Sequence, residues 1–125
     1  MIDKSVIKAR IKRSGISNVA GGAFRDIAPA ELSPIWGTDF LFVLFDGPER
    51  WTAISTTGVD YQYYGPQAHL SISEAAERVH AHYFERGKGA TSSFVDVDTS
   101  NDKMWIVNTQ TAQSLLNILN FLESS

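Results

Sequence analysis

Apolar and polar residues follow one another in blocks that predict three helices and five strands, in the order α-β-β-β-α-β-β-α. The first block predicts a helix over residues 3–14, which Asp3 is placed to cap and Gly15 to end. Its apolar stripe consists of Ile2, Val6, Ile7 and Ile11. Residues 15–39 are rich in glycine and proline and predict a loop or a short turn of helix that passes over the core.

The middle of the chain predicts three strands. Residues 40–45 read Phe-Leu-Phe-Val-Leu-Phe, a run that is apolar on both alternating faces. Such a run is typical of a central strand that is covered on both sides. Residues 51–56 and 59–64 predict the next two strands, joined by a tight turn at Thr57 and Gly58. The three strands together indicate an antiparallel meander.

A second helix and a hairpin follow in the sequence. Ser71 and Glu74 have the spacing of a capping box, in which each side chain bonds to the backbone N–H of the other residue. We expect the helix that they open to run to about Arg86. Residues 93–98 and 103–107 predict a further pair of strands.

The C-terminal residues predict an amphipathic helix that starts at Thr109 or Thr111 and packs across the sheet through a broad leucine-rich stripe. Helices and strands do not alternate regularly along the chain, which argues against a parallel sheet. The fold class is therefore predicted as α+β, with a single antiparallel sheet of about five strands and helices mainly on one face. Residues 1–125 are expected to form one globular domain.

Composition narrows the range of chemistry. The chain has 125 residues, of which 43% are hydrophobic and 20% charged, as in a packed globular domain. It has no cysteine, which excludes disulfides, thiolate nucleophiles, zinc ribbons and iron–sulfur clusters. Its longest apolar run is six residues, and its first residues lack the apolar core of a secretory signal. We therefore expect no transmembrane segment and a cytoplasmic location.

Charge is distributed unevenly. Residues 1–14 hold five bases and one acid, a net charge of +4, so the rest of the chain carries −7 of the total of −3. An acidic body argues against nucleic acid as the ligand, because binding a duplex needs several cations on one surface. It predicts a more basic protein partner. The alternative is that the acids only confer solubility and the basic arm folds back on them.

The basic N-terminal helix is an alternative binding site, for phosphates or a membrane surface. Lys4, Lys8 and Lys12 stack along one side of it at a spacing of four. The predicted anion-binding residues are Lys4, Lys8, Arg10, Lys12 and Arg13. The other interpretation is a helix that packs on the core and leaves its lysines in solvent.

No metal or catalytic motif is evident in the sequence. His80 and His82 are two residues apart on a predicted helix, whereas ligands on one helical face need a spacing of three or four. The acidic stretch from Asp96 lacks the glycine of a calcium loop, and Val107 stands where that loop needs glutamate. We expect no metal, no cofactor and no catalytic residues. A Ser/His/Asp site assembled only in space stays open.

Aromatic residues give the strongest indication of a binding surface. Neighbouring strand residues point to opposite faces, so at least one of Tyr63 and Tyr64 must lie outside the core. Exposed aromatic side chains rimmed by acids are typical of protein interfaces. The predicted partner-binding residues are Asp46, Glu49, Trp51, Asp60, Gln62, Tyr63 and Tyr64. The alternatives are that helices cover both faces of the sheet or that a homodimer buries the patch.

Residues 49–61, Glu-Arg-Trp-Thr-Ala-Ile-Ser-Thr-Thr-Gly-Val-Asp-Tyr, resemble a hairpin common in bacterial pleckstrin-homology-like domains. The hairpin and leucine-rich helix at the C-terminus are similar to the end of such domains. The resemblance implies a recognition module that binds proteins or lipid headgroups and needs no cofactor.

Three functions follow as hypotheses. The first is a non-catalytic protein-binding domain, in its most specific form a bacterial immunity-type inhibitor that docks on a basic partner. The alternative is a lipid or phosphate recognition module that uses the basic N-terminal helix. The second alternative is a small hydrolase.

Overall fold

The computed structural model describes residues 4–27, 40–86, 94–96 and 103–124. The helices are α1 (Lys4–Ser14), α2 (Ile16–Ala20), α3 (Ile72–Arg86) and α4 (Thr109–Glu123). The strands are β1 (Phe24–Arg25), β2 (Phe40–Phe45), β3 (Arg50–Ser55), β4 (Val59–Tyr63), β5 (Ala68–Leu70), β6 (Phe94–Asp96) and β7 (Lys103–Trp105).

Five strands form one antiparallel sheet in the order β1-β2-β3-β4-β5, and β6 pairs with β7 in a separate antiparallel sheet. The α+β class, the five-stranded antiparallel sheet and the order of the predicted elements are confirmed. The strands that complete the main sheet differ from those expected. Its edges are β1 and β5, of two and three residues, which are too short to show a periodic pattern.

Residues 15–39 were predicted to form a loop or a short turn of helix, and their described part contains a short helix, a 3-10 turn and a short strand. Gly15, with φ of 75°, ends α1 and leads directly into α2. A short 3-10 turn at Gly21–Ala23 then leads into β1. Asp3, the predicted cap of α1, and residues 28–39 of the predicted loop lie outside the described residues.

The register of the sheet separates its side chains into two faces. Phe42, Ile54, Val59 and Leu70 are successive cross-strand partners on the first face, which we call the helix face. Val43, Ala53, Asp60 and His69 are successive partners on the opposite face. A register shift between Phe40 and Phe42 lets Leu41 and Phe42 both join the helix-face core. Residues 41–44 are all buried, as predicted for a central strand.

The main core lies between the helix face and helices α1 to α4. It contains Ile7 and Ile11 from α1 and Val79 from α3, together with the apolar stripe of α4. The buried stripe of α4 consists of Ala112, Leu115, Leu116, Ile118, Leu119 and Leu122. Val6, predicted in the apolar stripe of α1, is 46% exposed. The helices thus lie mainly on one face, as predicted, and none of those described is both long and apolar enough to cross a membrane.

A smaller apolar cluster lies on the opposite face of the sheet. Val43, Trp51 and Ala53 are its buried members, and Phe40 and Phe45 pack against them. No residue of a described helix belongs to this cluster. The Trp51 Nε1–H donates a hydrogen bond to the Pro48 carbonyl at 3.2 Å, which holds the indole against its own turn.

The ends of α3 and α4 are fixed by side-chain caps. Ser71 and Glu74 form the predicted capping box, with both hydrogen bonds at 3.1 Å. The helix α4 begins at Thr109, as one of the two predictions had it, but its cap is Asn108. The Asn108 Oδ1 accepts the Thr111 N–H at 2.8 Å, and its Nδ2 donates to the Val19 carbonyl at 2.9 Å. One side chain therefore caps α4 and ties it to α2.

The β6–β7 hairpin packs against β3 and β4 on the helix face. The hydroxyl of Thr52, which is fully buried, donates to the Trp105 carbonyl at 2.6 Å. This contact brings β7 next to the end of the main sheet where Arg50 and Tyr63 are cross-strand partners. The hairpin thereby forms one side of the candidate site.

Candidate functional site

The residues predicted to bind a partner are divided by the sheet. Trp51 is the cross-strand partner of Gln62, and Asp60 belongs to the same opposite face, whereas Tyr63 lies on the helix face. Trp51 is only 2% exposed, so its ring is not available to a partner in this structure. The expected surface is therefore not assembled as predicted, because alternate strand residues point in opposite directions.

A different group of side chains meets at the end of β3 and β4 on the helix face. We call it the Tyr64 surface, and its members are Arg50, Tyr63, Tyr64, Phe94 and Lys103. The Tyr63 ring lies edge-on to Tyr64, with centroids 5.1 Å apart, and 5.8 Å from Phe94. These distances are those of favourable aromatic pairs. Three rings thus form a continuous aromatic surface.

Two cations lie over these rings. The Arg50 guanidinium carbon is 4.7 Å from the centroid of the Trp105 ring and 5.7 Å from that of Tyr64. The Lys103 Nζ is 4.4 Å from the Phe94 centroid and 5.9 Å from that of Tyr63. A cation at such distances from a ring face is attracted by its quadrupole. The cations therefore help to order the aromatic side chains.

Arg50 is further held by an ion pair with Asp46, four residues before it. Burial by itself lowers the pKa of Arg50, but the hydrogen bond and charge of Asp46, assisted by Tyr64 and Tyr63, raise the pKa above its usual value. The Arg50 Nε is buried and has no hydrogen-bond partner among the described residues. The guanidinium is thus a fixed positive charge within an aromatic surface.

Tyr64 has an unusual backbone. Its φ of 56° is left-handed, a conformation that bulky residues adopt only where the surroundings impose it. Its N–H donates a 2.7 Å hydrogen bond to the Glu49 carbonyl, which ties it to the turn before β3. The side chain is 60% exposed, in agreement with the prediction that Tyr63 or Tyr64 lies outside the core. A strained backbone therefore presents this tyrosine to solvent.

The cationic part of this surface, Arg50 and Lys103, was not predicted from the sequence. Arg50 could have been found from the pairing of the two strands, which places it opposite Tyr63. Phe94 and Lys103 could not have been found in this way, because the sequence pattern that predicts a hairpin does not indicate where that hairpin packs. The predicted acids Asp46 and Glu49 are exposed on the adjoining turn, and Asp46 is the ion-pair partner of Arg50.

The predicted anion-binding residues are separated by α1 into two grooves. Lys8 and Lys12 belong to a groove of about 250 Å³ beside Phe24 and Asp26. Arg10 and Arg13 belong to a groove of about 480 Å³ between α1 and α4. Its remaining lining residues are Ser14, Asn117, Asn120, Phe121 and Ser124. The side chain of Lys4 lies outside the described residues.

One histidine meets a buried acid on the opposite face of the sheet. The His69 Nδ1 lies 2.8 Å from the Asp60 Oδ1, so the carboxylate orients the ring. No hydroxyl is hydrogen-bonded to His69 Nε2 in the part of the chain that is described, and neither groove includes this pair. The pair therefore supplies an oriented base but no nucleophile for the hydrolase hypothesis.

Potential metal ligands are dispersed. His80 is exposed on α3, whereas His82 is buried. No group of three histidine, aspartate or glutamate side chains that could hold a metal ion occurs within the described ranges. Most of the calcium-like acidic stretch, residues 97–102, lies outside them.

Among the described residues, charged or polar side chains are thus brought together in four places, namely the Tyr64 surface, the two grooves beside α1, and the pair formed by Asp60 and His69. Of these places, the Tyr64 surface is the one with an exposed aromatic ring, that of Tyr64, next to ordered charges. Comparisons with protein-family models, with curated proteins and with solved structures found no match to this chain, so the resemblance to pleckstrin-homology-like domains stays a prediction.

Proposed function

We propose that the protein is a non-catalytic protein-binding domain whose contact region is the Tyr64 surface. The observation that carries this proposal is Tyr64 itself, a 60% exposed aromatic side chain held in a left-handed backbone by the Glu49 carbonyl. Strained residues that the surrounding structure maintains are concentrated at functional sites. Packing of the core gives no reason for this conformation, because the ring points into solvent.

The composition of the surface supports a protein as the partner. Tyrosine, tryptophan and arginine are the residues that most often dominate binding energy at protein interfaces. Here Arg50 and Tyr63 are fixed by ion pairing and ring contacts within the chain itself. Little side-chain entropy is therefore lost on association, which favours affinity.

The charge of the partner is a separate part of the proposal. Near Tyr64 the charges are mixed, since Arg50 pairs with Asp46, Lys103 lies over the Tyr63 ring, and the exposed Glu49 precedes Arg50. Residues 15–125 carry a net charge of −7, which attracts a basic protein at long range. The most specific form of the proposal is an immunity-type inhibitor that docks on such a protein.

The experiment is a quantitative pull-down from the native lysate with three forms of the protein, the wild type, Tyr64→Asn and Ile27→Ser. Asparagine tolerates a left-handed backbone, so the first variant removes the ring without adding strain. Ile27 is 77% exposed and lies outside the Tyr64 surface, which makes it a matched control.

We expect the wild type to capture one protein in a stoichiometric amount. Tyr64→Asn should capture roughly tenfold less of that protein, or still less, as for an interface hot spot. Ile27→Ser should capture as much of it as the wild type. Equal capture by all three forms, or no captured protein, would overturn the proposal. Weaker capture in high salt supports the basic partner, and capture independent of salt contradicts that part alone.

A further inference from the structure

We propose that the groove between α1 and α4 binds a small soluble oxyanion of the phosphate class. The ligand is held by the guanidinium groups of Arg10 and Arg13 and by the side-chain amides of Asn117 and Asn120. The groove shares no residue with the Tyr64 surface, so this proposal does not depend on the proposed protein-binding function.

The two walls of the groove each supply a pair of hydrogen-bond donors. Arg10 and Arg13 are three residues apart on α1, and Asn117 and Asn120 are three apart on α4, so each pair shares one side of its helix. Guanidinium groups match the oxygens of phosphate in a bidentate manner, and asparagine amides add neutral donors. Donors on both walls are what a compact anion with several oxygens requires.

Arg10 is held against an aromatic ring of the groove. Its guanidinium carbon lies 4.6 Å from the centroid of the Phe121 ring, which also lines the groove. The contact restricts the long side chain against the wall of the groove, so less conformational freedom is lost when an anion binds.

The positive charge of the groove is not neutralised from within. No aspartate or glutamate lines it, and neither Arg10 nor Arg13 forms an ion pair with any carboxylate among the described residues. Glu123, the one acid of α4, is not a lining residue. By contrast, the groove on the other side of α1 places Asp26 beside Lys8 and Lys12. The uncompensated cations favour the groove that holds the arginines.

Size and surroundings indicate a soluble ligand. The groove volume of about 480 Å³ lies within the range of small-molecule sites. The exposed residues of α4 at and next to the groove, Gln113, Asn117, Asn120 and Glu123, are polar, and they offer no apolar anchor for a bilayer. A long polyanion is disfavoured by the net charge of −7 on the rest of the chain. A single compact phosphate needs no apolar anchor and has too few charges to be strongly repelled by the rest of the chain.

The test is an NMR titration of the whole chain with pyrophosphate, comparing the wild type with two double variants. Arg10→Gln/Arg13→Gln removes two charges from the proposed site. Lys8→Gln/Lys12→Gln removes the same charge from the other side of the same helix and is the matched control. All four residues are exposed, so the fold should persist, and circular dichroism checks this.

We expect saturable binding with shifts at the side-chain amides of Asn117 and Asn120. The arginine variant should lose roughly tenfold or more in affinity, since charge-assisted hydrogen bonds are lost. The lysine variant should lose less than about threefold, because screening weakens distant charges. Equal losses in the two variants, or no saturable binding by the wild type, would overturn the site.

A second arm distinguishes a soluble ligand from a lipid headgroup. Glycerol phosphate in solution is compared with phosphatidylcholine vesicles that contain phosphatidic acid, which presents the same phosphate monoester on a membrane. Binding of glycerol phosphate with a loss in the arginine variant supports the proposal. Binding to the vesicles alone contradicts the soluble assignment.

Discussion

The imidazole of His69 lies so close to Gly58 that a Cβ at position 58 would be 2.5 Å from its Cε1. The same Cβ would be 2.6 Å from the Leu70 carbonyl oxygen, which belongs to the backbone of β5. Gly58 is therefore required by the close approach of β4 and β5, and the ring that Asp60 orients lies directly over it.

Gly58→Ala should lower the free energy of unfolding by about 1–3 kcal/mol, because overpacking forces β5 to move. Urea denaturation followed by circular dichroism measures the change. In Gly58→Ala/His69→Ala the ring is absent but the Leu70 carbonyl remains, so the rescue should be only partial. Full rescue would show that the ring alone excludes a side chain, and an unchanged free energy in Gly58→Ala would contradict the close approach.

Val107 combines a φ of 71° with a 2.8 Å hydrogen bond from the Asn108 N–H to the Ile106 carbonyl, the arrangement of a strained γ-turn. Within a helix or strand, a protein with glycine at a position normally has a free energy of unfolding about 0.5–1 kcal/mol lower than the same protein with alanine there. At Val107 the order should be reversed, because glycine adopts positive φ without the strain that an alanine Cβ causes.

We therefore expect Val107→Gly to have a higher free energy of unfolding than Val107→Ala, by about 1 kcal/mol. Comparing the two variants removes the effect of losing the valine side chain, since both lack it. Thermal and urea unfolding measure the difference. If alanine is the more stable of the two, residue 107 does not have this backbone conformation in solution.

The capping box of α3 predicts a specific pH dependence. Hydrogen bonds from the backbone and side chain of Ser71 lower the pKa of Glu74 below its ordinary value of 4.5, and nearby Arg78 and His69 act in the same direction. A carboxylate with a lowered pKa stabilises the fold above its unfolded pKa, and this contribution is lost as pH falls through the folded pKa.

Glu74→Gln keeps the hydrogen-bonding shape of the capping box but removes the charge. The wild type should be more stable than Glu74→Gln at neutral pH, and the difference should disappear as pH falls below about 4.5. Glu77→Gln, at an exposed position on the same helix, is the control. The measurement is the urea midpoint of each protein across this pH range. A difference between wild type and Glu74→Gln that stayed constant with pH would contradict the prediction.

The long apolar blocks of the sequence were sufficient to predict α1, α3, α4 and the central strands. A run such as residues 40–45 has few ways to bury both of its faces, and Ser71 with Glu74 marks a helix start unambiguously. The edge strands β1 and β5 were not predicted, because two or three residues are too few to show the alternation of apolar and polar residues that marks a strand.

The candidate site was harder to predict because it depends on register. Ile54 pairs with Val59, which makes Trp51 the partner of Gln62 and Arg50 the partner of Tyr63. A shift of one residue would exchange these faces. The sequence shows which residues are aromatic but not this register, nor the docking of β6 and β7, which brings Phe94 and Lys103 to Tyr63.

The short edge strands also affect how the molecule behaves at high concentration. An exposed edge is a template on which another chain can add a strand, and long flat edges promote aggregation. Here β1 provides two residues and β5 three, and the middle residue of β5 is His69, whose ring leans over Gly58. Such edges offer an incoming strand few backbone hydrogen bonds, so the sheet is protected against polymerising through its own ends.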